Sequence, residues 1–307
     1  MQTAQPSFRR YLIGWALVLT MVASATWLGD VEVILPEIGA LTAGTWVYRK
    51  ADWIAQPAKL FWAPSGTAVI GFLINRLPIN YPLKVILGLL LMLVLLKQLR
   101  SNLAPSFATG LLPIIINATH WSFIIAIFFW TLTLMVGVRW QKARVTAPVQ
   151  TVEPAAIHGW QMLGFTVLAL GWVGAVWLAG QPQMAGIPPV IVVFFEALQN
   201  PNYNHRVAWR QWVALVGAAS IGVVSYLLLG AWLPAAVVSL PLVYGLLRGL
   251  KLQLPAAFAF PLLALVLPQR MFTTLPLAAA LAAGFFLGSL VLYREVLPLL
   301  YARLVSD

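Results

Sequence analysis

Long apolar runs separated by short polar stretches dominate this chain. Twelve such segments can be delimited, at 11–28, 33–48, 60–75, 81–98, 103–118, 121–138, 160–180, 184–198, 211–230, 232–247, 254–268 and 273–293. A helix needs about 20 predominantly apolar residues to cross a bilayer, and most of these runs approach that length. The pattern predicts an all-α, polytopic transmembrane helical bundle of about 12 segments.

Segments 2, 5, 8 and 11 differ from the others because they are short, at about 15 or 16 residues, and contain proline. Proline removes a backbone donor and disturbs the preceding helical turn. Lipid cannot satisfy the freed backbone groups, so such segments are expected inside the protein or beside a polar cavity. Two interpretations are open for these segments. They form a transport site, or they are kinked helices that only pack against their neighbours. The prolines are Pro36, Pro105, Pro113, Pro188, Pro189, Pro255 and Pro261.

The two halves of the chain resemble each other. Gly66–Gly71 aligns with Gly217–Gly222 at an offset of 151 residues, and Gly137 aligns with Gly288 at the same offset. We therefore predict a duplication, with a first transmembrane half at 1–140, a cytoplasmic linker at 141–158 and a second half at 159–307. Six segments per half is an even number, which predicts two parallel, pseudo-symmetric halves.

The composition supports a membrane protein. Hydrophobic residues make up 61% of the chain, charged residues only 9%, and the mean hydropathy is +0.88. A soluble domain carries about 25% charged residues. This composition excludes a soluble enzyme, a nucleic-acid-binding module and a disordered chain, and it makes the lipid bilayer the expected partner.

The positions of the basic residues predict the orientation. With the N-terminus inside and the twelve segments alternating, sixteen of the 19 Lys and Arg residues fall on the inner side. Only Arg76, Lys84 and Arg270 fall outside. The positive-inside rule then predicts a bacterial plasma (inner) membrane protein whose N- and C-termini are both cytoplasmic.

A few polar residues within or beside the segments are candidates for substrate binding. Glu196 is the acid we place deep inside a segment, where a carboxylate is expected to be functional and can carry a proton. The alternative is that Glu196, close to the end of segment 8, simply reaches the cytoplasmic interface. The hydroxyl groups of Ser106 and Thr109 on segment 5 can donate hydrogen bonds to an anion. Glu37, beside Pro36, is expected to cap a helix N-terminus.

Other candidates lie at segment ends. Asn117, His120 and Arg270 are expected to form a polar outer vestibule. On the inner side, the stretches 52–59 and 200–206 are polar, and Asn204, His205 and Arg206 can bind an anion. Asn-Pro and Asn-rich runs are equally typical of ordinary turns.

Sequence motifs for catalysis are not found. The three histidines are isolated, cysteine is absent, and there is no phosphate-binding loop or nucleophile elbow. We therefore expect no enzymatic activity, no metal and no cofactor. Two pairs of small residues, Ala218 with Gly222 and Gly284 with Gly288, predict close helix packing. A homo-oligomer is compatible with the sequence.

Several stretches resemble the HPP family of small integral membrane proteins. They are the run from Pro36 to Ala40, the Ala55-Gln56-Pro57 stretch and the run from Ala104 to Pro113. Of the family's His-Pro-Pro-Ala-Gly-Ala-Thr signature, Pro105, Ala108 and Thr109 match, whereas Leu103 and Ala104 replace its His-Pro. The second half is similar more faintly, so the resemblance implies a tandem pair. Some plant and cyanobacterial members are associated with nitrite transport, which implies a small anion as substrate.

These observations favour a membrane transporter or permease for a small solute or ion, with a site between the two halves. The alternative is a non-transporting membrane scaffold or a subunit of a larger membrane complex. A polar cavity between the short segments would favour transport, whereas a sealed apolar bundle would favour the scaffold.

Overall fold

A computed structural model describes residue 6 and residues 8–144 and 159–296. Most of the predicted linker at 141–158 therefore lies outside the described residues, as does the chain after 296. The described residues form helices connected by turns, which confirms the all-α prediction.

The first part of the chain contains seven α-helices. They are α1 (Phe8–Leu28), α2 (Pro36–Thr42), α3 (Ala51–Ala55), α4 (Lys59–Asn75), α5 (Tyr81–Gln98), α6 (Pro105–Ile115) and α7 (Trp121–Arg144). A 3-10 turn at Val31–Val33 precedes α2, and a π-helical turn at Ala43–Val47 continues it.

The second part also contains seven α-helices. They are α8 (Gly159–Leu178), α9 (Pro188–Gln199), α10 (His205–Leu229), α11 (Trp232–Gly249), α12 (Ala259–Val266), α13 (Gln269–Phe272) and α14 (Leu275–Val291). Two 3-10 turns, Pro182–Met184 and Pro255–Phe258, precede α9 and α12, and a π-helical turn at Leu292–Val296 follows α14.

Seven of the described helices are long and apolar enough to cross a membrane. They are α1, α5, α7, α8, α10, α11 and α14. Their outer faces carry large apolar side chains with no cover from the rest of the chain, such as Leu178, which is 92% exposed. Such a surface fits a lipid environment. The length and apolar composition of these helices confirm the prediction of a helical protein suited to a membrane.

The four predicted short segments contain short helices whose side chains lie in the interior. All residues of α2, α6 and the stretch 255–266 are buried, and α9 is buried except near its end. Proline is the first residue of α2, α6, α9 and the Pro255–Phe258 turn, where its missing N–H has no helical partner to lose. The expectation that these segments do not face lipid is confirmed.

The short helices pack against one another in the centre of the bundle. α2 contacts the Pro255–Phe258 turn, α12 and α6, while α9 contacts α6 and the same turn. Longer helices surround this group: α4 packs against α5, α6 and α7, and α10 packs against α11, α12 and α14. Contacts of α1 with α11, and of α5 with α8, join the two parts of the chain at the periphery.

Two of the short segments pack very closely against the backbone of a neighbouring long helix. A Cβ atom at Gly71 on α4 would lie 1.8 Å from the Gly110 carbonyl oxygen of α6. A Cβ atom at Gly222 on α10 would lie 2.7 Å from Pro261 Cα, which confirms close packing for the Ala218–Gly222 pair. The prediction for Gly284 and Gly288 is wrong within the described residues. A Cβ at Gly288 would meet nothing within 4 Å, and one at Gly284 would meet only Trp212 at 3.7 Å.

Candidate functional site

The contacts between charged or amide side chains described here lie at two ends of the bundle. We call one end the Lys50 face; there the Lys50 ammonium contacts Glu196, and the Asn102 amide donates to Asp52 Oδ2 at 3.2 Å. We call the other end the His120 face; there His120 contacts Glu32, and the Asn75 amide donates to Asn117 Oδ1 at 3.2 Å. Among the described residues, a pocket lies at each of these ends.

The pocket on the Lys50 face, called the Lys50 pocket, has a volume of about 360 Å³. That size is at the lower end of the range for small-molecule sites. Both parts of the chain contribute to it. Its lining residues are Lys50, Asp52, Trp53, Asn102, Glu196, Ala197, Gln199, Asn200, Tyr203 and Gln211.

The local chain path explains how Lys50 reaches this pocket. The π-helical turn ends at Val47, and Arg49 adopts a positive φ of 53°, which turns the chain back toward α3. Trp53 then packs on Gly44, where a Cβ atom would lie 2.0 Å from the indole ring. Lys50 Nζ lies 4.4 Å from the centre of the Trp53 ring, a cation–π contact that helps to position the ammonium.

Glu196 lies in this pocket and forms an ion pair across the two parts of the chain. Its Oε1 accepts a hydrogen bond from Lys50 Nζ at 2.8 Å, and the two side chains are 23% and 25% exposed. The expectation of a deeply embedded carboxyl at this position is therefore wrong. α9 runs to Gln199, and its last turn reaches the open pocket, so Glu196 has both a cation and water within reach.

The two polar stretches predicted on the inner side do meet in this pocket, through Asp52 and Asn200. The turn interpretation is confirmed for two asparagines. Asn200 Oδ1 accepts from the Asn202 N–H at 3.0 Å, and Asn204 Oδ1 caps α10 by accepting from the Val207 N–H at 3.1 Å. Between them, Tyr203 donates to Gln211 Oε1 at 2.8 Å, and burial raises the pKa of Tyr203 so that its hydroxyl remains a donor.

Asn204, His205 and Arg206 do not line the Lys50 pocket. His205 contacts Glu295, with its Nδ1 2.8 Å from Oε2 and its backbone N–H donating to Oε1 at 3.0 Å. The Arg206 side chain is exposed at the start of α10. Their predicted role in substrate binding has no support from this placement.

The pocket on the His120 face, called the Lys84 pocket, has a volume of about 340 Å³. Lys84 Nζ is held at its rim by donating to the Asn75 carbonyl oxygen at 2.5 Å. Again both parts of the chain contribute. The lining residues are Asn75, Tyr81, Lys84, Ile114, Ile115, Asn117, Pro182, Gln183 and Met271.

The predicted outer vestibule is only partly assembled. Asn117 lines the Lys84 pocket in a left-handed conformation with φ 53°. His120 does not line it, because Glu32 binds its ring nitrogen and the backbone N–H groups of Thr119 and His120, each at 3.0 Å. The side chain of Arg270 lies outside the described residues, although its neighbour Met271 lines the pocket.

The helix α6 lies between the two pockets. It begins three residues after Asn102 of the Lys50 pocket and ends with Ile114 and Ile115 of the Lys84 pocket. Eleven residues at about 1.5 Å each give a separation of roughly 16 Å. Aromatic rings fill the space beside it: the Phe107 ring centre lies 5.0 Å from that of Phe165 and 4.9 Å from that of Phe195.

Ser106 and Thr109 are both fully buried on α6. Thr109 Oγ1 lies 2.7 Å from Thr67 Oγ1 and donates to the Ser106 carbonyl oxygen at 2.7 Å, so its hydroxyl joins α6 to α4. Ser106 Oγ has no hydrogen-bond partner among the described residues. Neither hydroxyl reaches a pocket, and both belong to the barrier between the pockets.

Several pocket residues were not expected from the sequence, among them Lys50, Tyr203 and Lys84. The opposite charges of Lys50 and Glu196, near the ends of segments 2 and 8 that were predicted to reach the same face, were a usable signal for their pairing. Lys84 was recognisable as one of only three basic residues predicted on the outer side.

Glu37 corrects another expectation. It was expected to cap a helix, but Leu35 occupies the cap position of α2 and no side chain caps this end. Glu37 is only 1% exposed, and both of its carboxyl oxygens lack a hydrogen-bond partner among the described residues. Among the acidic residues that the structure describes, Glu37 is therefore the most deeply buried, and Glu196 is not.

Comparisons with protein-family models, with curated proteins and with solved structures found no match to this chain. Within the described residues, no group of three or more His, Cys, Asp or Glu side chains is placed to hold a metal ion.

Proposed function

We propose that this protein is a membrane transporter, and not an enzyme, that moves a small solute between the Lys50 pocket and the Lys84 pocket. The observation that carries the proposal is the presence of one pocket at each end of the same buried short helix, α6. Both pockets are formed by the two parts of the chain together. The aromatic rings beside α6 would then be the barrier of an occluded state.

A small anion is the substrate class that we propose. The Lys84 pocket supports this most directly, because Lys84 is the charged residue among those that line it and Asn75 and Asn117 lie beside it. In the Lys50 pocket the carboxylates of Glu196 and Asp52 accompany Lys50, so an anion entering there would replace Glu196 as the partner of the Lys50 ammonium. The residues resembling the HPP family lie in the same region, since Pro105 begins α6 and Thr109 lies on it. This resemblance makes nitrite the first anion to test.

We also propose that the transporter is a tandem repeat of two six-segment halves. Support comes from backbone conformations that recur at an offset of 151 residues. Gly29 and Gly180 end α1 and α8 with φ values of 65° and 70°, and Arg100 and Lys251 follow α5 and α11 with φ values of 48° and 52°. Non-glycine residues rarely adopt positive φ, so the second pair is informative.

Helix contacts give further support for the repeat. A Cβ at Gly66 would lie 2.8 Å from Leu95, and a Cβ at Gly217 would lie 2.7 Å from Leu246, again at offsets of 151. The neighbours of α4 are α5, α6 and α7, and those of α10 are α11, α12 and α14. Contacts between the halves also occur in equivalent pairs when each helix is replaced by its counterpart in the other half. The contact of α2 with α12 corresponds to that of α9 with α6, and the contact of α1 with α11 corresponds to that of α8 with α5.

For the orientation, we propose that the Lys50 face is cytoplasmic. The basic residues at segment ends, including Arg9, Lys59, Lys97 and Arg139, belong to this face, whereas Arg76 and Lys84 belong to the other. This distribution follows the positive-inside rule for an inner-membrane protein.

The proposal can be tested by nitrite uptake into liposomes that contain the purified protein. Lys50→Ala and Lys84→Ala are each expected to lower uptake by about tenfold. Each variant removes one charge-assisted hydrogen bond to the anion, and a loss of about 1.4 kcal/mol of binding free energy corresponds to a factor of ten. Lys97→Ala is the matched control, since Lys97 is exposed and lines neither pocket. Its uptake should equal that of the wild type.

A scaffold function has one specific observation in its favour, the aromatic filling beside α6. If wild-type protein moves neither nitrite nor nitrate, chloride, formate or bicarbonate under these conditions, the transport proposal is wrong and the scaffold becomes the better interpretation.

A further inference from the structure

Glu37 stands apart from the other acidic residues of the described chain. Asp30, Glu32, Asp52, Glu196 and Glu295 each accept at least one hydrogen bond. Glu37 alone among these described acids has two buried, unpartnered carboxyl oxygens. An ionised carboxylate is very costly in such surroundings, and the group neutralises by binding a proton. The arrangement seen here therefore holds Glu37 in its protonated form.

Helix geometry indicates which side of α2 carries this carboxyl. A Cβ at Gly39 would lie 3.0 Å from the Phe258 carbonyl oxygen and 2.8 Å from Leu262, so Gly39 faces the second part of the chain. Thr42 faces α1, because a Cβ at Gly14 would lie 3.2 Å from its methyl group. Successive residues of an α-helix are rotated by about 100°, so Glu37 points away from Gly39. The remaining helices packed against α2 are α6 and α7. By elimination, we place them on the Glu37 side.

No charged partner reaches this position from the neighbouring elements. The described parts of α6, α12 and the Pro255–Phe258 turn contain no titratable residue. The titratable groups on the other elements packed against α2 lie near the two faces of the bundle: Arg9, Arg10, Tyr11, Tyr48 and Arg139 at the Lys50 face, and Glu32 with His120 at the His120 face.

The helix that covers Glu37 carries a second unsatisfied group. Ser106 Oγ on α6 is fully buried and also lacks a partner. Buried polar groups are normally hydrogen-bonded, and an unpartnered one calls for an explanation such as a catalytic or binding role. Unpartnered atoms on both α2 and α6 are accounted for if water or substrate comes between these helices in another state of the protein.

We infer that Glu37 is the proton-binding group of the transporter and that it couples movement of the anion to movement of a proton. This inference depends on the function proposed above. In the occluded state Glu37 is neutral. When α2 and α6 separate and water reaches the carboxyl, the O–H bond breaks and the proton passes to water on that face. Return of a proton from the opposite face restores the neutral acid, so one proton accompanies one monovalent anion.

The first test detects the proton and needs no substrate. Infrared spectroscopy of the purified protein at neutral pH should show the carbonyl stretch of a buried carboxylic acid. Glu37→Gln should remove this band, whereas the matched variant Glu32→Gln should keep it, because Glu32 is also buried, in the turn before α2, but is hydrogen-bonded. A band that is absent from the wild type, or that persists in Glu37→Gln, overturns the inference.

The second test separates proton coupling from a structural role. In liposomes with nitrite as the probe, acidifying the outside should accelerate wild-type uptake. Glu37→Gln should lose this acceleration while its melting temperature stays equal or rises, and Glu37→Asp should restore the acceleration. A lower melting temperature together with unchanged pH dependence would mean that Glu37 is only structural. If the wild type moves no nitrite, the proposed function fails and so does coupling, while the infrared band still decides whether Glu37 holds a proton.

Discussion

Two glutamates five residues apart show how strongly the local chain path decides the chemistry of a side chain. Both are buried, Glu32 in the 3-10 turn before α2 and Glu37 in the first turn of α2. Glu32 accepts hydrogen bonds from Thr119 and His120, which precede α7, and thereby stabilises the start of that helix. Glu37 accepts none. The first carboxylate is structural, whereas the second is available to bind and release a proton.

Gly71 is the single residue on which the position of α6 depends most directly. Gly71→Ala would place a Cβ 1.8 Å from the Gly110 carbonyl oxygen, which belongs to backbone and cannot rotate away. We expect this variant to lose about 1–3 kcal/mol of stability or more, as is typical of overpacked sites. Thermal unfolding in detergent, followed by tryptophan fluorescence, measures the loss.

Gly174→Ala is the control for this substitution, because a Cβ at Gly174 would meet nothing within 4 Å among the described residues. It should unfold at the wild-type temperature or slightly above it. Equal melting temperatures for Gly71→Ala and the wild type would show that α4 and α6 are not packed as described.

At the scale of single elements, proline was the most useful sequence signal. The short proline-containing segments were predicted to be interior, and they are, but Pro36, Pro105 and Pro188 begin their helices and do not interrupt them. The π-helical turn after α2 could not be predicted in the same way. It depends on Trp53 packing against Gly44, and this contact requires the whole turn to be in place.

The ion pair between Lys50 and Glu196 links the elements that form the Lys50 pocket. Because both side chains are about one quarter exposed, we expect a coupling free energy of only about 1 kcal/mol. Lys50→Glu alone places two carboxylates together and should destabilise the protein, and Glu196→Lys should act similarly. The charge-swapped double variant should recover most of the loss in melting temperature.

If the double variant loses as much stability as the two single variants lose together, the two side chains do not interact. High salt provides an independent check, because screening should reduce the difference between the wild type and the single variants.

At the scale of the whole molecule, the sequence predicted a helical bundle in which long apolar helices alternate with short buried ones. The correspondence of the two halves at an offset of 151 residues stays a prediction. The sequence could not predict which segments of different halves touch. Lys50 and Glu196 are 146 residues apart, and only the packing of α6 against α9 brings their surroundings into one pocket. The pockets are therefore properties of the assembled bundle and not of any sequence motif.

The orientation of the whole molecule can be tested by labelling, since the chain contains no cysteine and single cysteines can be introduced without background. Leu77→Cys and Asn202→Cys suit this purpose because both residues are exposed, on the His120 face and the Lys50 face respectively. If the Lys50 face is cytoplasmic, a membrane-impermeant maleimide added to intact cells should label Leu77→Cys and leave Asn202→Cys unmodified. Permeabilised cells should label both, which controls for reactivity. The reverse pattern would place the basic residues outside, and labelling of both in intact cells would mean that the two faces are not separated by a membrane.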